Sequence, residues 1–208
     1  MTVLKVGIIG CGGIARGKHF PSLAQVKEVE MVAFCDIVLE RAEEAQEQYG
    51  TADSQVFSDY KEMLAAMDLD VVHVCTPNIS HAEISIAALE AGNHVMCEKP
   101  MAKTTAEARE MIEVAKRTGK KLTIGYQNRF ATESRYLQEV CAAGELGEIY
   151  SAKAHAIRRR AVPTWGVFLD EEAQGGGPLI DIGTHALDLT LWMMDNYKPK
   201  YVVGKTYH

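Results

Sequence analysis

A chain of 208 residues, 47% hydrophobic and 24% charged, has room for one comfortable domain or two small ones and is too apolar to be a disordered polymer. Its 28 acidic residues outnumber 22 basic ones for a formal net charge of -6; a nucleic-acid partner would want a positive face, so none is expected. No apolar run approaches the roughly 20 residues that span a bilayer, and the opening MTVLKVGIIG is too short and glycine-rich for a signal peptide, which predicts no membrane partner and a cytoplasmic location.

The first 125 residues alternate short apolar runs with amphipathic stretches. The runs are 3–9, 31–35, 71–75, 94–97 and 122–124, rich in Val, Ile and Cys and without polar alternation, as in parallel strands buried on both faces. Between them, 38–49, 59–66, 80–91 and 105–117 carry helical spacing, and Gly50, Gly92 and Gly119 are placed to end helices with a positive φ. Repeated β–α–β units predict an α/β fold with a doubly wound parallel sheet over 1–125. After Gly125 the rhythm changes. A helix over 134–143, strands over 148–158 and 201–207, a Gly- and Pro-rich loop over 161–178 and an apolar helix over 179–195 predict a partial α+β domain over 126–208. The five cysteines (Cys11, Cys35, Cys75, Cys97, Cys141) are scattered and form no C-x-x-C pair, so they are expected to be reduced and structural.

The first run ends in Gly10-Cys11-Gly12-Gly13-Ile14-Ala15, a G-x-G-x-x-A turn between a strand and a helix. Gly10 permits the tight turn. Gly12 lets a pyrophosphate approach the backbone, and Ala15 lets the helix pack on the sheet. With Gly13 and Ile14, this turn opens a helix whose N–H groups and positive dipole end face the phosphates. The context is that of a Rossmann dinucleotide site. Asp36 ends the second run, 26 residues after Gly10, where a carboxylate accepts hydrogen bonds from ribose hydroxyls and repels a 2′-phosphate. NAD is therefore expected over NADP, with Arg41 as the one counter-indication.

Three further stretches carry a resemblance: Thr76-Pro77-Asn78, Glu98-Lys99-Pro100, and Asp181-Ile182-Gly183-Thr184-His185-Ala186-Leu187-Asp188. With the fingerprint, they resemble the glucose–fructose oxidoreductase / inositol dehydrogenase (Gfo/Idh/MocA) family through essentially the whole chain. The resemblance implies an oxidoreductase acting on a secondary hydroxyl of a sugar, sugar derivative or inositol. It assigns His185 as acid/base, Lys99 to the reacting hydroxyl and Asp181 to orienting substrate and base. It also implies a cis Lys99–Pro100 bond, and a cofactor lined by Thr76, Pro77, Asn78, Glu98 and Lys99. The residues themselves fit that chemistry. Lys99 stands at a strand's carboxyl end, where ligands of open α/β sheets bind. On an α-helix Asp181, His185 and Asp188 would fall within about 60° of one another. A histidine titrates near ~6.5, suited to taking up a hydroxyl proton.

Asp188 is expected to support that helix face, His73 and His94 to be core residues, His81 to cap the helix after Thr76-Pro77-Asn78, and His155 to sit on a strand. Arg129, Arg158 and Trp165 are the candidate substrate contacts besides Asp181, since polyols want hydrogen-bond donors and an aromatic face. No Cys/His cluster or H-E-x-x-H pattern is present, so no metal is expected. The family is generally longer, with a large C-terminal sheet, whereas only ~80 residues follow Gly125 here; this suggests a truncated or shortened chain whose open edge favours a homo-oligomer. Two other readings stand beside the dehydrogenase: an NAD-dependent glycosidase of the same fold family, and a non-catalytic dinucleotide-binding fragment.

Overall fold

The computed structural model describes residues 3–157, 159–160 and 162–205. Its contacts form two compact units, one of Met1–Gly125 with Pro163–Gly177 and one of Tyr126–Val162 with Pro178–His208. Six strands belong to the first unit: β1 (Leu4–Ile9), β2 (Val29–Cys35), β3 (Gln55–Phe57), β4 (Val71–Val74), β5 (His94–Cys97) and β6 (Leu122–Ile124). The α-helices in chain order are α1 (Phe20–Leu23), α2 (Leu39–Tyr49), α3 (Tyr60–Ala66), α4 (Asn78–Glu90), α5 (Thr105–Thr118), α6 (Thr132–Ala142), α7 (Glu171–Gln174) and α8 (Thr184–Met194).

The strands form one parallel sheet in the order β3-β2-β1-β4-β5-β6. This is the doubly wound arrangement, and both sheet faces are apolar because both are covered. Ile8 and Phe34 pack with Phe20 on one face, while their neighbours Ile9, Ala33 and Cys35 pack with Val72 and Met111 on the other. The order reverses between β1 and β4, and at that switch point ligands of such sheets bind beyond the strands' carboxyl ends.

Sequence periodicity missed β3, which has three residues and two apolar side chains. It is a strand because Ala33–Cys35 offers it a ladder. Gly119 ends α5 at φ 68° as expected, but Gly50 sits at φ -74°. Its lack of a side chain serves packing instead, since a Cβ there would collide with the Ser54 hydroxyl and the Gln46 carbonyl. Helix α5 opens on a capping box in which the Thr104 hydroxyl accepts from the Glu107 N–H and the Glu107 carboxylate accepts from the Thr104 N–H.

In the second unit, α6 packs against α8. The two strands expected over 148–158 and 201–207 are not formed: among the described residues of both segments the backbone is irregular. Their composition suits strands, but a strand is stable only with a hydrogen-bonded neighbour, and none of the described residues pairs with them. Arg158 and residues 206–207 lie outside the described residues. The expected helix over 179–195 divides into a π-helical turn, Leu179–Gly183, and α8. The loop over 161–178 contains the one-turn helix α7, capped by the Asp170 carboxylate accepting from the Ala173 N–H. No helix among the described residues is long and apolar enough to cross a membrane.

Candidate active site

The glycine corner is shaped for a dinucleotide. Gly10 has φ 93°, and a Cβ on it would lie 2.7 Å from the Cys75 carbonyl carbon, so only glycine fits. At Gly12 and Gly13 a Cβ would meet nothing within 4 Å, which leaves an open backbone face where a pyrophosphate could approach. The N–H groups of this first helical turn have no carbonyl four residues back within the helix to bond, so the turn is a ready anion site. Ile14 is exposed at its rim, and Ala15 is buried against the sheet. The helix continues through a π-helical turn, Ala15–His19, in which the Phe20 N–H donates to the Ala15 carbonyl.

Asp36 is buried at the end of β2. Its carboxylate accepts the Cys11 N–H at 2.8 Å and the Val38 N–H at 2.9 Å, one on each oxygen. A carboxylate has about four acceptor positions, so two remain for ribose hydroxyls. Arg41 stands 3.9 Å from Asp36, and Arg16 is bonded to the Cys11 carbonyl and the Glu44 carboxylate. The Cys11 and Cys35 thiols beside this corner are pushed up to about 12, first by burial and then by Asp36, so they stay protonated.

Beyond β4 and β5 lie two turns joined by polar contacts. The Lys99–Pro100 bond is cis, as expected. The Glu98 carboxylate is buried; one oxygen faces His19 Nε2 at 2.8 Å and the other accepts the Lys99 N–H at 3.1 Å. His19 Nδ1 in turn lies 2.9 Å from His73 Nδ1. Burial opposes the charged form of Glu98, but the His19 hydrogen bond and charge more than offset it, and the carboxyl sits below its ordinary range. His73 is pushed down to about 4, by burial first and His19 second. Lys99 itself is half-buried. His81 does not cap α4, which begins at Asn78 and so places His81 inside the helix. Its two ring nitrogens face the Pro100 and Thr76 carbonyls at 2.7 and 2.8 Å, bracing the two turns, and burial lowers its pKa. The Thr76 hydroxyl accepts from the Ser80 hydroxyl, and Pro77 is exposed. The Asn78 amide donates to both the backbone and side-chain oxygens of buried Gln174.

Within the second unit His185 is buried at the start of α8. The Tyr126 ring meets it edge-on at 6.1 Å, and the Tyr126 hydroxyl is 2.8 Å from the Thr184 hydroxyl. Asp181 is half-buried in the π-helical turn, so the α-helical spacing used to align it with His185 and Asp188 does not hold there. A π turn closes its hydrogen bond over five residues and so rotates the later residues of the helix about its axis. Asp188 pairs with Arg129: Nε donates to one carboxylate oxygen at 2.8 Å and Nη2 to the other, while the guanidinium lies 5.3 Å from the Trp192 ring centre. Trp165, in the segment grouped with the first unit, is exposed and edge-on to Phe168. His155 is exposed on irregular chain rather than on a strand. No group of three or more metal-ligating side chains occurs among the described residues.

Sequence reasoning passed over His19 and Gln174, whereas the resemblance places Tyr126, in the stretch 126–130, near the substrate. Spacing holds a faint signal for His19, one turn beyond the fingerprint; Gln174 has none, because its partner is 96 positions away.

Residues 4–126 match the model of the oxidoreductase family with an NAD-binding Rossmann fold, and residues 134–208 match a GFO/IDH/MocA C-terminal domain. The chain is 47% identical over 191 residues to D-glucoside 3-dehydrogenase from Escherichia coli, covering 92% of this chain and 54% of that one. It is 31% identical over 198 residues to inositol 2-dehydrogenase from Salmonella typhimurium, covering 94% and 56%. The WlbA dehydrogenase from Bordetella pertussis, solved with NADH and UDP-GlcNAcA, superimposes with a TM-score of 0.85 at 26% identity, covering 92% of this chain and 55% of that one. The chain thus spans about half the length of the curated relatives it matches. Its fold, its glycine cradle and two family domains matched in order make it a member of the Gfo/Idh/MocA oxidoreductase family.

Proposed function

We propose that the chain is the dinucleotide-binding and site-bearing part of an NAD-dependent dehydrogenase that oxidises a secondary hydroxyl of a sugar, sugar derivative or inositol. Residues 1–125 are taken as the dinucleotide-binding domain and 126–208 as the substrate and oligomerisation part. The observation that carries the reading is the Glu98-Lys99-Pro100 turn at the carboxyl end of β5, in the sheet whose first corner is the glycine cradle. The relatives named for D-glucosides and inositol support the substrate class.

A bound nicotinamide would accept the hydride from the carbinol carbon. In this reading the Lys99 ammonium holds the reacting oxygen, His185 takes its proton, and Asp181 orients both. Gly10, Gly12, Gly13 and Ile14 cradle the phosphates, Asp36 the ribose, and Thr76, Pro77, Asn78 and Glu98 line the nicotinamide end. Arg129, through the guanidinium edge that Asp188 leaves, Trp165 and Arg158 are the proposed sugar contacts. NAD is preferred over NADP, because Asp36 opposes a 2′-phosphate and Arg16 and Arg41 are turned to carboxylates. Five unpaired cysteines fit a reducing compartment, and the cytoplasm is the location proposed. Exposed Tyr150, Ile157 and Tyr201–Val203 support a homo-oligomer, tested by light scattering across a range of concentrations.

The test is NADH formation against a panel of glucosides and inositols. His185→Ala is expected to lower kcat by about 10²–10⁴-fold and to leave NADH affinity within about threefold. A histidine that only packs α8 would lower the melting temperature and leave kcat per folded molecule unchanged.

A further inference from the structure

One buried polar chain in the first unit contains two histidines, His19 and His73, that the proposed chemistry does not use. His19 comes from the first helix, Glu98 from the turn after β5 and His73 from β4, three separate parts of the chain, yet they form one continuous chain of contacts beneath the lysine turn. His19 and Glu98 are both more than nine-tenths buried. A carboxylate only accepts, so His19 Nε2 carries the proton it gives to Glu98. His19 Nδ1 then shares a single proton with His73 Nδ1, one ring donating and the other accepting. The second Glu98 oxygen takes the Lys99 N–H. Gly125 stands on the far side: a Cβ there would lie 3.1 Å from Glu98 Oε2, so the missing side chain leaves the carboxylate its place.

We infer that His19 is a positioning residue: through Glu98 it holds the backbone of Lys99, and because it stands one turn beyond Gly12–Ala15 it makes the dinucleotide cradle and the lysine turn move as one body. The inference rests on the proposed role of Lys99 but can fail separately from it. The π-helical turn Ala15–His19 is where the helix departs from regular α geometry, as functional sites often do. The other groups facing Glu98 are Lys99 on its own turn, His81 from α4, and the protonated thiols of Cys75 and Cys97, whose pKa values Glu98 helps raise. Oε1, the oxygen turned away from the Lys99 N–H, is the one that His19 Nε2 meets.

The experiment is backbone amide hydrogen exchange, read by NMR on the ¹⁵N-labelled full chain, for wild type, His19→Leu, His19→Gln and Glu98→Gln. In His19→Leu the Lys99 amide is expected to lose about tenfold or more of its protection. The Glu98 and Gly125 amides, which donate to the Val74 and Cys97 carbonyls within the sheet, are expected to stay protected. His19→Gln keeps an N–H donor and is expected to restore most of the Lys99 protection. Glu98→Gln, similar in shape, gives the same readout should His19→Leu fail to fold, with the Lys99 amide again selectively exposed. An unchanged Lys99 amide in a folded variant overturns the inference. So does loss of protection spread equally over Glu98, Lys99 and Gly125, or a His19→Gln variant no better than His19→Leu. NADH titrated into the same samples separates the two readings: wild type that binds no NADH while the amide pattern holds would remove the dinucleotide reading and leave the His19 lock intact.

Discussion

Phe20, Phe34, Met63 and Met111 are wholly buried in the first unit, in two clusters that cover both sheet faces. In the second unit the buried residues among those described are Ser134 and His185, both polar, while Tyr150, Ile157, Tyr201, Val202 and Val203 are at least 80% exposed. The first unit is therefore held by apolar burial and strand ladders. The second is held by directed contacts: Arg129 to Asp188, Tyr126 to Thr184, and the guanidinium beside Trp192. Apolar burial is non-directional and legible as periodicity, whereas polar contacts between distant positions leave no period in the sequence.

Core truncation tests the comparison most strongly. Phe34→Ala is expected to cost about 3–5 kcal/mol, measured by urea denaturation, because it removes a fully buried ring that packs with Phe20. An effect below ~1 kcal/mol would mean that the first unit's clusters do not carry its stability.

Acid comes next. His73 is held at about 4 in the fold and returns to about 6.5 when unfolded, so the unfolded chain binds the extra proton. The resulting stability is present above pH 6.5 and is lost as the pH falls toward 4, on the order of 3 kcal/mol in all. Glu98, lowered in the fold, adds a loss in the same direction at still lower pH. Denaturation of wild type and His73→Gln at pH 7 and pH 4 measures it; the variant is expected to show a shallower fall.

Arg129→Ala is expected to cost about 1–3 kcal/mol, because the mostly buried Asp188 carboxylate loses its partner. The damage should be local, so limited proteolysis is expected to quicken within the second unit and not within 3–125. A weaker effect belongs to Asp36→Ala, which should narrow the ratio of NADH to NADPH affinities by about tenfold in calorimetric titration. The smallest is Val203→Ala. At an exposed position it is expected to change stability by less than ~0.5 kcal/mol, and a cost near that of Phe34→Ala would erase the contrast between the units.

By itself the sequence determined five of the six strands and the longer helices up to Gly125, the glycine corner and the acidic residue after β2, through patterns that act over a few neighbouring residues, and the cis Pro100 turn came through the family resemblance. Only the tertiary structure decided the rest. It made Gln55–Phe57 a strand by offering a ladder, and left the backbone of 148–157 and 201–205 irregular because no described strand pairs with it. It turned the start of the apolar helix into a π turn at Leu179–Gly183, gave Asp188 to Arg129, and brought His19, His73 and Glu98 together from across the sheet. These outcomes depend on which groups meet after the chain has crossed the sheet, and a pairing over tens of residues is decided by geometry that no local spacing encodes.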